Sequence, residues 1–334
     1  MRIYSLILFS FFTYTLLPGQ FSQDNFEYQD IVEKDSAGKK IIVAQDGSGQ
    51  FSSVQAAINS LPEKNKKPVT LFIKKGIYKE KILIDSSKEY ITIIGEDKLT
   101  TILTYDDHTG KIAPNGETIN TRTSWSVKIL ANNFTARNIT FQNDAGFSAG
   151  QAVAVEADGD KAIFINCRFI GNQDVLFTNS DNSRQYYENC YIEGTTDFIF
   201  GAATVWFEKC HIYSKKNSHI TAASTPKEKE FGYIFNRCEL TGDTSLHNVS
   251  LGRPWRPYAQ VVYMHTYIGQ HIKAEGWSNW NNTDNHLTTR YAEYKNVGPS
   301  ANPANRVKWA RQLTDEEAKK YTLTNVLDGW NPLQ

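Results

Sequence analysis

An excess of charge of either sign is missing from this 334-residue chain: Lys+Arg and Asp+Glu stand at 36 each, a formal net charge of zero. Without such an excess there is no electrostatic basis for a nucleic-acid or anionic-membrane partner. Methionine is scarce at 2 and cysteine at 4, the latter at positions 167, 190, 210 and 238. These form no Cys-x-x-Cys pair, and no His-Glu-x-x-His is present, so the spacing of a metal site is absent. Nor does any apolar run reach the ~18–20 residues of a membrane span. The longest, residues 3–17, follows Met1-Arg2 and precedes Pro18-Gly19-Gln20, the form of a secretory signal peptide over residues 1–22. No Cys follows to take a lipid anchor. Export permits disulfides, and the four cysteines can pair or stay as buried thiols; the sequence leaves both open.

What remains is strand-forming: aromatics make up 13% of the chain, amid Val, Ile, Thr, Asn and Gly. After a polar, flexible segment at 23–39, residues 41–44 read as a strand and Asp46-Gly47-Ser48-Gly49 as a turn. Ser52-Ser53-Val54-Gln55 has capping-box form and leads into a short helix stopped by Pro62. Strands are then expected at 69–73, 82–84, 90–94 and 101–104, with no helix-period segment over the next two hundred residues. From Ala136 onward the chain repeats itself. Ala136, Phe164, Tyr187, Phe207, Phe235 and Tyr263 open similar six-residue segments at intervals of 28, 23, 20, 28 and 28. That period is the mark of a solenoid. With no Leu-x-x-Leu-x-Leu frame, the expected fold is all-β, a right-handed parallel β-helix with short capping helices, in one domain over 40–334. Thr314-Asp-Glu-Glu317 announces a terminal helix.

Two copies of the repeat carry chemistry. Asp174 lies seven residues after Cys167, and Asp197 seven after Cys190. On adjacent coils the two carboxylates would stand roughly 5 Å apart at the backbone, too close for both to ionise freely. Counting back from each following repeat puts Gln151 in the register of Asp174, and Arg253 in that of Asp197 two coils on. The small run Ala222-Ala223-Ser224-Thr225 between them would let the guanidinium reach back. Arg253 would then hold Asp197 ionised as nucleophile or base, leaving Asp174 protonated as the acid. Gln151 and Gln173 would donate to an oxyanion, and Phe198, Trp255, Trp277 and Trp280 would offer faces for sugar rings. The structural alternative is that each Asp merely closes a turn and that Trp255 covers a coil edge. Asn138, Asn166 and Asn189 read as a structural ladder. Gly146-Phe147-Ser148-Ala149-Gly150 has the serine-esterase pattern but not the strand–turn–helix surroundings a nucleophile elbow needs.

Five motifs in order, Gly76-Ile-Tyr-Lys-Glu80, Gln151-Ala-Val-Ala-Val155, Gly171-Asn-Gln-Asp174, Asp197-Phe-Ile-Phe-Gly201 and Leu251-Gly-Arg-Pro-Trp255, resemble those of the pectin methylesterases. The resemblance spans nearly all of the chain after the signal. It implies a right-handed parallel β-helix that hydrolyses the C6 methyl esters of galacturonate in pectin through an acyl-aspartate, without metal or organic cofactor, as a secreted monomer. It makes Asp197 the nucleophile and Asp174 the general acid, then base. Gln151 and Gln173 match the oxyanion-hole glutamines, Arg253 the arginine that orients the nucleophile, and Trp255 and Trp277 the sugar-contacting tryptophans. Asn172, Val175 and Phe177 depart from the family's usual Tyr, Thr and Tyr, and 116–125 matches loosely; these changes bear on the groove walls. No plant-type inhibitory pro-region is expected. The rival readings are a β-helix polygalacturonase or lyase, and a polysaccharide-binding solenoid without turnover.

Overall fold

The computed structural model describes residues 39–281 and 283–334; the expected signal peptide and residues 23–38 lie outside them. The strands form three parallel sheets of eleven, eight and seven strands, with consecutive strands of each coil passing from one sheet to the next. This is the expected parallel β-helix. Strands of a coil are too short to bury a core alone, so each finds its partners one coil before and after it.

The repeat read from the sequence is the register of the largest sheet. Ala136 pairs with Phe164, then Tyr187, Phe207, Phe235 and Tyr263 in turn. Because the same inward position recurs on each coil, the rings stack. Centroids lie 4.7 Å apart for Phe164–Tyr187, 4.9 Å for Tyr187–Phe207, 4.4 Å for Phe207–Phe235 and 4.5 Å for Phe235–Tyr263. Each such pair contributes ~0.5–1.5 kcal/mol beyond the area it buries. The residue that turns the corner after these strands is left-handed on every coil, at Asn138, Asn166, Asn189, Lys209, Arg237 and His265. Asn tolerates that conformation best, and Asn166 Nδ2 donates to Asn138 Oδ1 at 2.6 Å, as the ladder reading expects. One residue further on, Cys167, Cys190, Cys210 and Cys238 are buried free thiols. The Sγ of Cys190 donates to the Phe164 carbonyl, that of Cys210 to Tyr187 and that of Cys238 to Phe207.

The early helix is Val54–Asn59, with Val54, Ala57 and Ile58 buried against the first coils. Ser53 is the N-cap, its Oγ accepting from the Ala56 N–H at 3.3 Å, but in place of a closing Gln55 side chain the box is completed from a distance. The Glu80 carboxylate accepts from the backbone N–H of Val54 and Gln55 at 2.9 Å each and from Ser53 Oγ at 2.7 Å. An anion at the positive end of a helix is favourable, which gives Glu80 a structural part. The late helices Asp315–Ala318, capped by Thr314 and Glu317, and Leu323–Val326 do not close a coil end. Their apolar residues, with Tyr321 and Leu327, cover Tyr186, Trp206, Ile234 and Val262 on the outer face of the eleven-stranded sheet.

Candidate active site

Asp174 and Asp197 occupy equivalent corners of adjacent coils. Leu176 pairs with Ile199, and the Asp174 N–H donates to the Thr196 carbonyl at 3.1 Å. Both aspartates are left-handed, with φ of 63° and 49°, a conformation costing of order 1 kcal/mol that clusters at functional sites. Beyond Asp197 the strand Ile199–Gly201 must lie close on the coil before it. A Cβ at Gly201, whose φ is 128°, would fall 2.0 Å from the Thr178 carbonyl oxygen, so only glycine fits there. The expected adjacency of the two carboxylates, on one side of the molecule, therefore holds.

Arg253 reaches Asp197 as a two-pronged pair, Nε to Oδ1 at 3.0 Å and Nη2 to Oδ2 at 2.6 Å. It comes from two coils away across Ala222, as the small intervening run suggested, and its guanidinium lies 4.1 Å from the Trp280 ring centroid. The register behind that expectation differs, however. Asp197 is equivalent to His219 and then Ser250, not to Arg253. The connection following Ser250–Gly252 is longer than the one following Ile199–Gly201, so the same count back from the next repeat stops short, at Arg253 instead of Ser250. Gln151 is corrected likewise: it bridges Gln173, which bridges Thr196. A bulge intervenes, where the N–H groups of Ala154 and Val155 both donate to the Val175 carbonyl. The two glutamines are thus neighbours on adjacent coils, beside the aspartates.

Burial governs the charges. Asp174 and Asp197 are only 8% and 5% exposed. Burial, then the neighbouring charge of Asp197, pushes the Asp174 carboxyl well above the usual carboxylate range. Asp197 is also raised by burial, against the lowering effect of Arg253. The guanidinium therefore offsets desolvation rather than overriding it, a correction to the simple expectation. Asp174 remains the group that holds its proton longer. A carboxyl whose pKa is raised on folding binds more protons folded than unfolded, so it costs stability as pH rises above its ordinary value. Asp174→Asn should therefore be more stable than wild type at pH 7 by about 1 kcal/mol, the gain fading near pH 4. Thermal melts at the two pH values measure it; a variant less stable at pH 7 would contradict the assignment.

The aromatic surface differs from the one expected. Phe198 is 0% and Trp277 1% exposed, and both belong to the interior core. Phe198 and Ile199 both turn inward because the chain rounds the corner at Asp197. Trp277 lies against Tyr291, centroids 4.5 Å apart, and donates to Glu293. Neither side chain faces the groove. The outward row of the seven-stranded sheet instead runs Lys128, Glu156, Phe177, Phe200 and Ala222 in register. Phe177 and Phe200 stack at 4.3 Å, with Trp125, Trp255 and Trp280 packed around them. Trp255, half-buried, is one of those packed around them. Phe177 was expected at the groove wall; Phe200 was not, although each Phe lies three residues after the corner Asp of its coil.

A family model described as Pectinesterase matches residues 40–330. The chain belongs to the pectinesterase family. Pectinesterase 31 of Arabidopsis thaliana is 39% identical over 295 residues, covering 87% of this chain and 92% of that protein. Pectin methylesterase from carrot superposes with a TM-score of 0.82 at 32% identity, over 88% of this chain and 94% of its own. A pectin methylesterase solved in complex with a hexasaccharide gives a TM-score of 0.78 at 26% identity, over 88% and 98%. As a pectinesterase the chain is a carboxylic ester hydrolase. Among the described residues no cluster of three or more His, Cys, Asp or Glu is placed to hold a metal ion.

Proposed function

We propose that this pectinesterase removes methyl groups from the C6 esters of galacturonate in pectin by way of an acyl-aspartate. The Asp197 carboxylate attacks the ester carbonyl carbon, and the amide N–H groups of Gln151 and Gln173 receive the oxyanion. The C–O bond to the methoxy group breaks as Asp174 hands its proton to the departing oxygen, releasing methanol and leaving a mixed anhydride on Asp197. Asp174, now a carboxylate, takes a proton from water, whose oxygen attacks the galacturonyl carbon. The anhydride opens, Asp197 leaves as carboxylate, and the uronic acid loses its proton to solvent.

The observation that carries this reading is the pairing itself: a guanidinium-bound Asp197 on one coil and a more strongly proton-holding Asp174 on the next. The oligosaccharide bound by a relative and the aromatic row beside the aspartates support a polysaccharide substrate. Export is part of the proposal and rests on the apolar run at residues 3–17. An inverting polygalacturonase separates its carboxyls by ~6.5–9.5 Å, wider than adjacent coils set at the backbone. The test is the product. Methanol and new carboxylate should appear one for one from methylated pectin while polymer length stays constant. Shortened chains, or binding without methanol, would overturn the reading.

A further inference from the structure

We propose that Arg122 selects a free uronate beside the ester under attack, and so sets the methylation pattern on which this enzyme works; this rests on the function proposed above. Most charge along the groove is already engaged. Arg253 is bound to Asp197, and Lys128 Nζ lies 3.0 Å from Glu156 Oε1. Arg122 stands differently. It sits in the short turn Thr121–Thr123, and its guanidinium lies over the Phe177 ring, 5.4 Å from the centroid. Nη1 donates to Asn179 Oδ1 at 3.1 Å, and the residue is otherwise exposed.

The turn is fastened to the site. Asn120 caps it, Lys81 Nζ donates to the Thr123 carbonyl at 2.6 Å and to Asp107, and Thr109 N–H donates to the Gln151 carbonyl at 2.9 Å. Arg122 is thus held at the end of the aromatic row opposite Arg253, Trp255 and Trp280. Glu156 and Asp158 face the same cluster and are the anions a uronate would compete with. Glu156 is occupied by Lys128, Asp158 shares Asn179, and burial raises both carboxyls, which weakens their hold on the arginine.

Pectin presents two kinds of unit to such a groove, neutral methyl esters and anionic uronates. Rings suit the first. A planar guanidinium on an aromatic face, with donors left toward solvent, suits a carboxylate. Since each turnover creates a carboxylate, a chain already opened on the Arg122 side docks better than an untouched one, and free uronates accumulate in runs.

The experiment compares wild type with Arg122→Gln and Arg122→Lys on two defined oligogalacturonates, one fully methyl-esterified and one partly de-esterified. Methanol release gives kcat and KM, and NMR gives the product pattern. Arg122→Gln should lose about tenfold in kcat/KM on the partly de-esterified substrate, the size of one lost charge-assisted contact, mainly through KM. Its loss on the fully esterified substrate should be several-fold smaller, and its products should carry scattered rather than adjacent uronates. Arg122→Lys should recover part of the preference. Equal losses on both substrates would mean that Arg122 only supports its loop, and an unmoved ratio and pattern would remove its role; either overturns the proposal while methanol release by wild type upholds the function. No methanol from wild type would defeat both.

Discussion

Asp197→Ala should lower methanol release by at least about 10⁴-fold, and Asp197→Asn by a similar factor, because a covalent route loses its bond-forming atom in both. The pair of variants separates chemistry from folding. Alanine leaves the Arg253 guanidinium, only 16% exposed as a side chain, without its anion, and some loss of stability should follow. Asparagine keeps the shape and an acceptor for one prong of the arginine. A stable, oligosaccharide-binding and inactive Asp197→Asn protein is the expected result, with no acyl adduct trapped by rapid acid quench and mass spectrometry. Activity within tenfold of wild type would mean that another group attacks the ester, and the mechanism would have to be abandoned.

The second large effect is expected at Arg253. Its two hydrogen bonds are what oppose the burial of Asp197. Arg253→Met removes them while preserving much of the packing on Trp280, and strands a desolvated carboxylate. Breaking such a pair from one side typically costs ~3–5 kcal/mol. Asp197 would answer by taking up a proton, and a protonated carboxyl is no nucleophile. Turnover near neutral pH should fall by about 10²–10³-fold, consistent with losses from removing one key electrostatic partner. The sign of the pH effect is diagnostic. On the proposed mechanism, wild-type activity should rise as Asp197 ionises and decline as Asp174 gives up its proton, with the rising limb above the ordinary carboxylate range. In Arg253→Met that limb should move to still higher pH, since the lowering influence has gone. A rate–pH profile scaled down without displacement would assign Arg253 a purely structural part.

How far the chain could be read without coordinates varied with distance along it. The aromatic positions from Phe164 to Tyr263 were legible because each coil repeats one inward site, and stacked rings need only the period to be found. The Asp174–Asp197 pair was legible for the same reason: two coils with the same seven-residue offset from a cysteine must present the same corner. Gln151 and Arg253 were placed by interval counting that ignored a bulge at Ala154–Val155 and a longer connection after Gly252, so their neighbours came out right and their register wrong. Phe198 was misread as surface because alternation fails where the chain rounds the corner at Asp197, and Trp277 because its burial depends on packing against Tyr291, a residue of a later segment. Glu80 was legible only as part of a motif; its partners Val54 and Gln55 precede it by a whole coil.

Sequence by itself determined the solenoid, its period and the two aspartates, since these depend on patterns that recur at short range and on spacing that every coil shares. Tertiary structure alone decided which aromatics face the groove, how burial divides the protons between Asp174 and Asp197, and where the exposed guanidinium of Arg122 stands. Those depend on how coils of unequal length lie on one another, and desolvation is a property of the assembled stack that no single coil carries.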